Sequence, residues 1–205
     1  IGDEAGGAIT TGDSNIAIGH GAGDALTTGT NNVAVGHLAL SAEDGHGLNV
    51  AVGYEALKAL NAGGDSHNVA VGYQAGKAFT TGQLNSVIGS LSGTALTEAG
   101  RNTAVGYSTL ATDTQGGRST AIGYGALSTQ NFSSATDSNN TAVGHAAGAA
   151  VTTGTSNTLI GAEAGNSLTT GADNVAIGYD ALKTEDTGGQ SVAIGRLALS
   201  TQNND

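Results

Sequence analysis

Residues 49–57 read Asn-Val-Ala-Val-Gly-Tyr-Glu-Ala-Leu, and this stretch recurs with small changes along the whole chain. Each copy carries a Gly that directly follows a Val or an Ile. These glycines are Gly2, Gly19, Gly36, Gly53, Gly72, Gly89, Gly106, Gly123, Gly144, Gly161, Gly178 and Gly195. They lie 17 residues apart, except for a step of 19 before Gly72 and a step of 21 before Gly144. Twelve copies at a nearly fixed period indicate a solenoid.

Each copy predicts one short strand followed by a turn. The β-branched residue before every Gly favours a strand, but a strand this short is stable only when it pairs with the coils above and below. We therefore predict an all-β fold with short helical turns, a β-solenoid or β-roll of about twelve 17-residue coils. At a strand spacing of about 4.8 Å, twelve coils make a rod of roughly 55–60 Å.

The two faces of each strand are assigned different roles. We expect the Val or Ile before the Gly to point into the core, so that Ile122→Asp breaks one coil. The Ala two residues before the Gly, as in Ala51 and Ala104, lies on the opposite face. A column of small residues permits close approach of another layer. This column is predicted to be a protomer interface, most simply in a homotrimer, or to pack against the turn of its own coil.

A longer period is superimposed on the coils. The residue four positions after the repeat Gly is Gly in two coils and Leu in the next two, three times over. Where it is Gly, as at Gly23, an apolar residue such as Leu26 follows three positions later. This pattern predicts one pocket per coil that is filled from either position. Since both insertions close a four-coil block, we predict a single array over 1–205, with blocks of approximately 1–67, 68–139 and 140–205, as a segment of a longer fibre.

An Asn stands four residues before the repeat Gly in most copies, and Ser119 and Ser191 replace it in two. An amide has two donor hydrogens and an acceptor oxygen, so stacked copies can bond one another and the turn backbone. We predict a structural ladder at Asn15, Asn32, Asn49, Asn68, Asn85, Asn102, Asn140, Asn157 and Asn174. The repeat Gly is predicted to supply a bend that a Cβ would obstruct.

All five Tyr and three of the His follow the repeat Gly directly and must form a stripe. The stripe consists of His20, His37, Tyr54, Tyr73, Tyr107, Tyr124, His145 and Tyr179. It predicts either a surface that binds a glycan or protein receptor, or a packing stripe that protects the rod or joins chains. No carboxylate recurs beside the histidines, so we predict no metal.

Composition removes several functional classes. A net charge of −11, with only 6 Lys and Arg, opposes nucleic-acid binding. No apolar run is long enough to cross a bilayer, so no membrane insertion is predicted in this segment. The absence of Cys excludes disulfides and thiolate metal sites. No paired carboxylates or nucleophile–base set stand out and the basic residues are scattered, so we predict neither catalysis nor a cofactor.

The core motif, as in Asn174-Val175-Ala176-Ile177-Gly178, resembles the head repeats of YadA-type trimeric autotransporter adhesins. It is also similar to the Asn-Thr-Ala-Val-Gly-Tyr-type repeats of phage tail-fibre proteins. The resemblance covers nearly the whole chain and implies a parallel β-roll that assembles as a trimer. The repeat of those adhesin heads is shorter than the present one by about a turn.

These observations predict a structural segment of an extracellular fibre or adhesin, on a cell surface, secreted filament or virion, that self-associates as a homotrimer or filament. The alternatives are a phage tail-fibre shaft, a glycan-binding module and, ranked last, an ice-binding protein that uses the Thr-Thr-Gly repeats. Asn131 and Asn139 begin glycosylation sequons in the longest insertion. Asp44 and Asp65 lie in Asp-rich turns that we expect to be solvated loops rather than calcium sites.

Overall fold

Each repeat forms one coil of a parallel β-solenoid in the computed structural model, which describes residues 1–202. The predicted fold class is confirmed, although the described residues contain no helix in place of the expected helical turns. The strands are β1 (Ile16–Ile18), β2 (Val33–Val35), β3 (Val50–Val52), β4 (Val69–Val71), β5 (Ser86–Ile88), β6 (Thr103–Val105), β7 (Gly116–Gly117), β8 (Thr120–Ile122), β9 (Thr136–Asp137), β10 (Thr141–Val143), β11 (Thr158–Ile160), β12 (Val175–Ile177) and β13 (Val192–Ile194).

Eleven of these strands, all except β7 and β9, form a single parallel sheet in chain order. The register is constant, so that Val33 pairs with Val50 and Ala34 pairs with Ala51. Because every neighbour pairs in register, each column of the repeat becomes a straight line of like residues. Eleven strands at about 4.8 Å give a sheet roughly 50 Å long.

The interior is thin, and it is filled from the Ala side of the strands. Ala34, Ala51 and Ala104 are fully buried, whereas Ile18 is 41% exposed and Ile122 is 37% exposed. The prediction that the β-branched residue before the Gly points into the core is therefore wrong. The Ala column is not a protomer interface either, since it packs against the turn of its own chain, as the alternative prediction stated.

Packing across the narrow interior explains this orientation. A Cβ built on Gly23, in the turn of one coil, would lie 3.7 Å from the Cβ of Ala34. The turn lies so close to the strand that the middle residue of the strand is Ala in every coil that has Leu at the fourth position after the repeat Gly. The inner residue is larger at Val87 and Leu159, and both lie against turns that carry Gly.

The expected pocket in each coil is present. Where the fourth residue after the repeat Gly is Leu, as at Leu57, that side chain is fully buried. Where it is Gly, as at Gly165, a Cβ would lie 2.9 Å from Cδ1 of Leu168, which fills the same space. The backbone at this position is left-handed in both cases, with φ of 49° at Leu57 and 59° at Gly165. A left-handed residue, not a helical turn, makes the bend.

Buried carboxylates fix the two insertions to the coil before them. Glu43 Oε2 accepts a hydrogen bond from the Ala62 amide at 3.2 Å, and Asp113 Oδ1 accepts one from the Phe132 amide at 3.2 Å. Both carboxylates are fully buried. The second insertion also carries β9, which pairs with β7 of the preceding coil. Each insertion is therefore an ordered part of the solenoid wall.

The repeat Gly lies where the backbones of consecutive coils approach each other closely. Its φ is between +121° and +142° in all twelve coils, a region that L-residues rarely adopt. A Cβ on Gly161 would lie 2.6 Å from the carbonyl oxygen of Gly178 in the next coil. The predicted bend that excludes a Cβ is thus observed.

We expect Gly161→Ala to lower the free energy of unfolding by at least about 2 kcal/mol, because it combines backbone strain with a clash against the next coil's backbone. Urea denaturation measures the change. Gly63→Ala is the matched control, since a Cβ there meets nothing within 4 Å. Equal effects of the two substitutions would contradict this account of the repeat Gly.

Candidate functional site

The recurrent Asn residues form a hydrogen-bonded ladder along one inner corner of the rod. The Asn174 amide donates to Asn157 Oδ1 at 3.0 Å, and Asn157 Nδ2 donates to the Gly171 carbonyl at 2.8 Å. The bond from a backbone amide to the Asn Oδ1 of the preceding coil recurs along the column, and all the Asn members from Asn32 onward are buried. The Nδ2 bond to a carbonyl of the next coil also recurs, except at Asn49, whose Nδ2 donates to Gly47 of its own coil at 3.1 Å. The amides thus join neighbouring coils and have a structural role.

The ladder changes at Ser119, which replaces Asn. There the Ser119 and Ser138 hydroxyls are hydrogen-bonded at 2.6 Å, and Gln130 Nε2 donates to Ser119 Oγ at 3.1 Å. Gln130 Oε1 accepts from Asn140 Nδ2 at 2.8 Å, which reconnects the ladder above the interruption. A buried polar network therefore carries the ladder past the coil that contains the longest insertion.

The aromatic stripe forms a stack of rings parallel to the rod axis. His20, His37, Tyr54 and Tyr73 stack successively, with centroid distances of 5.3, 5.0 and 5.3 Å. Interplanar angles are 6–13°. Such near-parallel stacking follows directly from the register, since each ring occupies the same position in consecutive coils. The rings cover one another's faces and present their edges to solvent.

A second run of three rings joins Tyr107, Tyr124 and His145 at 5.2 and 5.3 Å. Tyr179 stands apart from it and lies under the Arg196 guanidinium, whose Cζ is 5.7 Å from the ring centroid. All eight predicted stripe residues therefore lie on one edge of the rod. The structure divides them into two stacked runs and one separate ring.

Beside the stripe lies the outer face of the eleven-stranded sheet, which we call the sheet face. It consists of the first and third residues of each strand. The first residues are Ile16, Val33, Val50, Val69, Ser86, Thr103, Thr120, Thr141, Thr158, Val175 and Val192. The third residues are Ile18, Val35, Val52, Val71, Ile88, Val105, Ile122, Val143, Ile160, Ile177 and Ile194. All are half-buried or exposed, and none is charged.

Sequence reasoning missed the sheet face because it placed these side chains in the core. A Val-Ala-Val triplet has apolar residues on both faces of the strand, so alternation alone does not tell which face is buried. The recurrence of small residues at the middle position was the available signal. It indicated a close approach, which turned out to be within the chain.

Ion pairs use four of the six basic residues. Glu55 binds both Lys58 and Lys77, each at 2.7 Å, and accepts a hydrogen bond from Gln74 at 2.9 Å. These contacts, that with Lys58 foremost, lower the pKa of Glu55 to about 2. The hydrogen bond with Glu55 in turn raises the pKa of Lys77.

Lys183 and Arg118 account for the other ion pairs. Lys183 bridges Glu163 at 2.9 Å and Asp180 at 3.0 Å, and the hydrogen bond to Glu163 is the main cause that raises the pKa of Lys183. Arg118 lies 3.1 Å from Asp137 of the second insertion. Four of the six basic side chains are therefore neutralised locally, and the net charge of the chain remains −11.

One group of candidate metal ligands occurs among residues 1–202, formed by Glu43, Asp44 and His46 within 4.8 Å of one another. Both oxygens of Glu43 already accept backbone hydrogen bonds, from the His46 amide at 3.1 Å and the Ala62 amide. Its geometry therefore fits a structural role, and we assign no metal to it. His20 and His37 of the stripe are stacked on each other.

The Thr-Thr-Gly segments hold coils together. The hydroxyl of the first Thr donates to a backbone carbonyl one coil further on, from Thr10 to Thr27 at 3.1 Å and from Thr152 to Thr169 at 3.0 Å. These hydroxyls are therefore already bonded within the rod. The sequon residues Asn131 and Asn139 are both exposed in the longest insertion.

Comparisons of this chain with protein-family models, with curated proteins and with solved structures found no match. A search of residues 1–202 for a helix of the length and apolarity needed to cross a bilayer also found none. Function must therefore be argued from the surfaces described above.

We expect Asn157→Ala to reduce the free energy of unfolding by about 2–4 kcal/mol, because it leaves a buried amide and a buried carbonyl without partners. Thermal or urea unfolding followed by circular dichroism provides the measurement. Asn166→Ala, at a half-buried position outside the ladder, is the control and should change stability little. A ladder variant as stable as the control would refute the structural role.

Glu55 should make the rod sensitive to acid. Its folded pKa of about 2 lies below the ordinary value of 4.5, so its contribution to stability is present above about pH 4.5 and is lost as the pH falls towards 2. Glu55→Gln should lower the urea midpoint at pH 7 and leave it near the wild-type value at pH 2. Exposed Glu98→Gln serves as control. A Glu55→Gln deficit that is the same at both pH values would contradict the ion-pair explanation.

Proposed function

We propose that this chain is a structural segment of an extracellular fibre or adhesin, a rigid rod that self-associates through its sheet face. The observation that carries the proposal is this face, which is apolar or hydroxylic and uncharged along all eleven strands. Exposed apolar patches beyond a few hundred Å² mark interaction surfaces in soluble proteins. A face roughly 50 Å long and at least two side-chain columns wide belongs to this class.

A second copy of the same chain is the partner that this face fits best. Its rows repeat at the strand spacing, so an identical face presents ridges and grooves of the same period, and sheets of this kind pack about 10 Å apart. The face is free of charge in a chain with a net charge of −11. Charge repulsion between other parts of the acidic surface favours association through this uncharged face.

Rigidity supports the mechanical part of the proposal. Every coil is joined to the next by backbone pairing, by the Asn ladder and by Thr hydroxyls. In such arrays stability comes from nearest-neighbour contacts, so the rod resists bending and local unfolding along its length. A rod that holds other parts at a distance needs this property and needs no catalytic group.

Ile122→Asp tests the proposal and replaces the earlier expectation for this substitution. Since Ile122 lies on the sheet face, the charge should leave the coil folded and disrupt self-association. Light scattering and sedimentation would measure the number of chains, and circular dichroism the fold. We expect a wild-type oligomer, whether homotrimer or filament, and a largely dissociated variant.

Thr153→Asp, at an exposed position outside the sheet face, is the matched control and should associate like the wild type. A wild-type chain that remains monomeric at high concentration would refute self-association. Unchanged association of Ile122→Asp would show that another surface is used.

A further inference from the structure

The aromatic stack has two interruptions, and each leaves a space between ring faces. Ser90 occupies the stripe position between Tyr73 and Tyr107, and Ala162 occupies it between His145 and Tyr179. In both coils the ring is missing while the coils above and below carry one. We call these two spaces the Ser90 slot and the Ala162 slot.

The slots are the places where two ring faces without a ring neighbour lie opposite each other. Within the runs, neighbouring rings at 5.0–5.3 Å cover each other. Twice this spacing separates the rings across a missing position, so the walls of the Ser90 slot, Tyr73 and Tyr107, are about 10 Å apart. A single ring inserted edge-on would lie about 5 Å from each wall, within the range of stacked pairs. Both walls are about half exposed, so the slot opens to solvent.

The chemistry around the Ser90 slot is polar but neutral. The Ser90 hydroxyl is half-exposed and makes no hydrogen bond within residues 1–202, so it is available to a ligand. Gln74 and Ser108 directly follow the two wall residues in sequence, and Leu91 directly follows Ser90. None of these three residues is charged. Two aromatic faces with hydroxyls around them suit a ring that has C–H groups on its faces and hydroxyls on its rim.

The Ala162 slot has a similar shape and excludes anions. Glu163 directly follows Ala162 in sequence, and Asp180 directly follows the wall residue Tyr179. Both carboxylates form ion pairs with Lys183. An acidic ligand would meet two carboxylates there, whose cation Lys183 is already paired with both of them, while the Arg196 guanidinium lies on the ring of Tyr179. The two slots lie 72 residues apart, which is four coils or about 19 Å along the rod.

We propose that the Ser90 and Ala162 slots each bind one pyranose ring of a neutral glycan, sandwiched between the aromatic side chains of the coils above and below. A sandwich of one sugar gives millimolar affinity, and a glycan long enough to reach both slots binds more tightly because the second contact is intramolecular. The proposal adds a binding site to the rod and does not depend on its self-association.

The test fills the slots with the ring that the stack lacks. The double variant Ser90→Tyr, Ala162→Tyr should complete the stack and keep the fold, because Tyr is the commonest residue of this column. Saturation-transfer NMR would use the methyl glycosides of glucose, galactose, mannose and N-acetylglucosamine, with the sialic acid methyl glycoside as the acidic probe and p-cresol as the aromatic probe. We expect at least one neutral glycoside to bind the wild type and the filled variant to bind it at least about tenfold more weakly.

A second variant removes a wall instead. Tyr107→Ala should weaken binding, whereas Tyr124→Ser should create a third slot between Tyr107 and His145 and raise the number of bound sugars. The proposal is overturned if no neutral glycoside binds at millimolar concentration, if filling the slots leaves sugar binding unchanged, or if only p-cresol or the sialoside binds. Loss of self-association in the filled variant, without loss of sugar binding, would instead assign the slots to a contact between chains.

Discussion

In-register pairing of each coil with the next is the constraint on which the whole molecule depends. Hydrogen bonds cross between coils at the strands and also in the turns, as from the Leu57 amide to the Ala75 carbonyl at 3.1 Å. Every coil must therefore follow nearly the same path. Where that path brings the backbones of two coils together, every coil needs a residue without a Cβ. Gly therefore recurs at this position twelve times.

The same constraint gives the rod its surfaces. Because a residue type stacks on its own kind, apolar residues produce a continuous face, amides produce a ladder and rings produce a stack. A monomeric globular protein breaks up such patterns, since its neighbouring surface residues come from unrelated positions. Here the same residue type at one position of each coil forms a continuous surface tens of ångströms long. A surface of such a scaffold is accordingly formed by one repeat position in many successive coils. A residue that differs from the others at its repeat position marks a place where that surface changes.

The chain departs from its repeat in three ways. Insertions after Leu60 and Gln130 are anchored by buried carboxylates of the preceding coil, so they enlarge the wall without disturbing the pairing. Ser119 replaces an Asn and is compensated by a neighbouring polar network. Ser90 and Ala162 have no such compensation, and they leave spaces where aromatic faces remain uncovered. Uncompensated departures on an otherwise regular surface are the natural places to look for recognition.

The sequence by itself determined the solenoid, the 17-residue length of its coil, the alternating Leu and Gly pocket, and the positions of the ladder and stripe. Each of these is a column property, and a 17-residue period fixes columns once the coils stack in register. Only the tertiary structure decided which face of the strand is inside, because Val-Ala-Val is apolar on both faces and only the fold shows that the middle residue lies in the narrow gap to the turn. It also decided that the rings cover one another, since stacking depends on side-chain conformation and coil spacing, which no single repeat specifies.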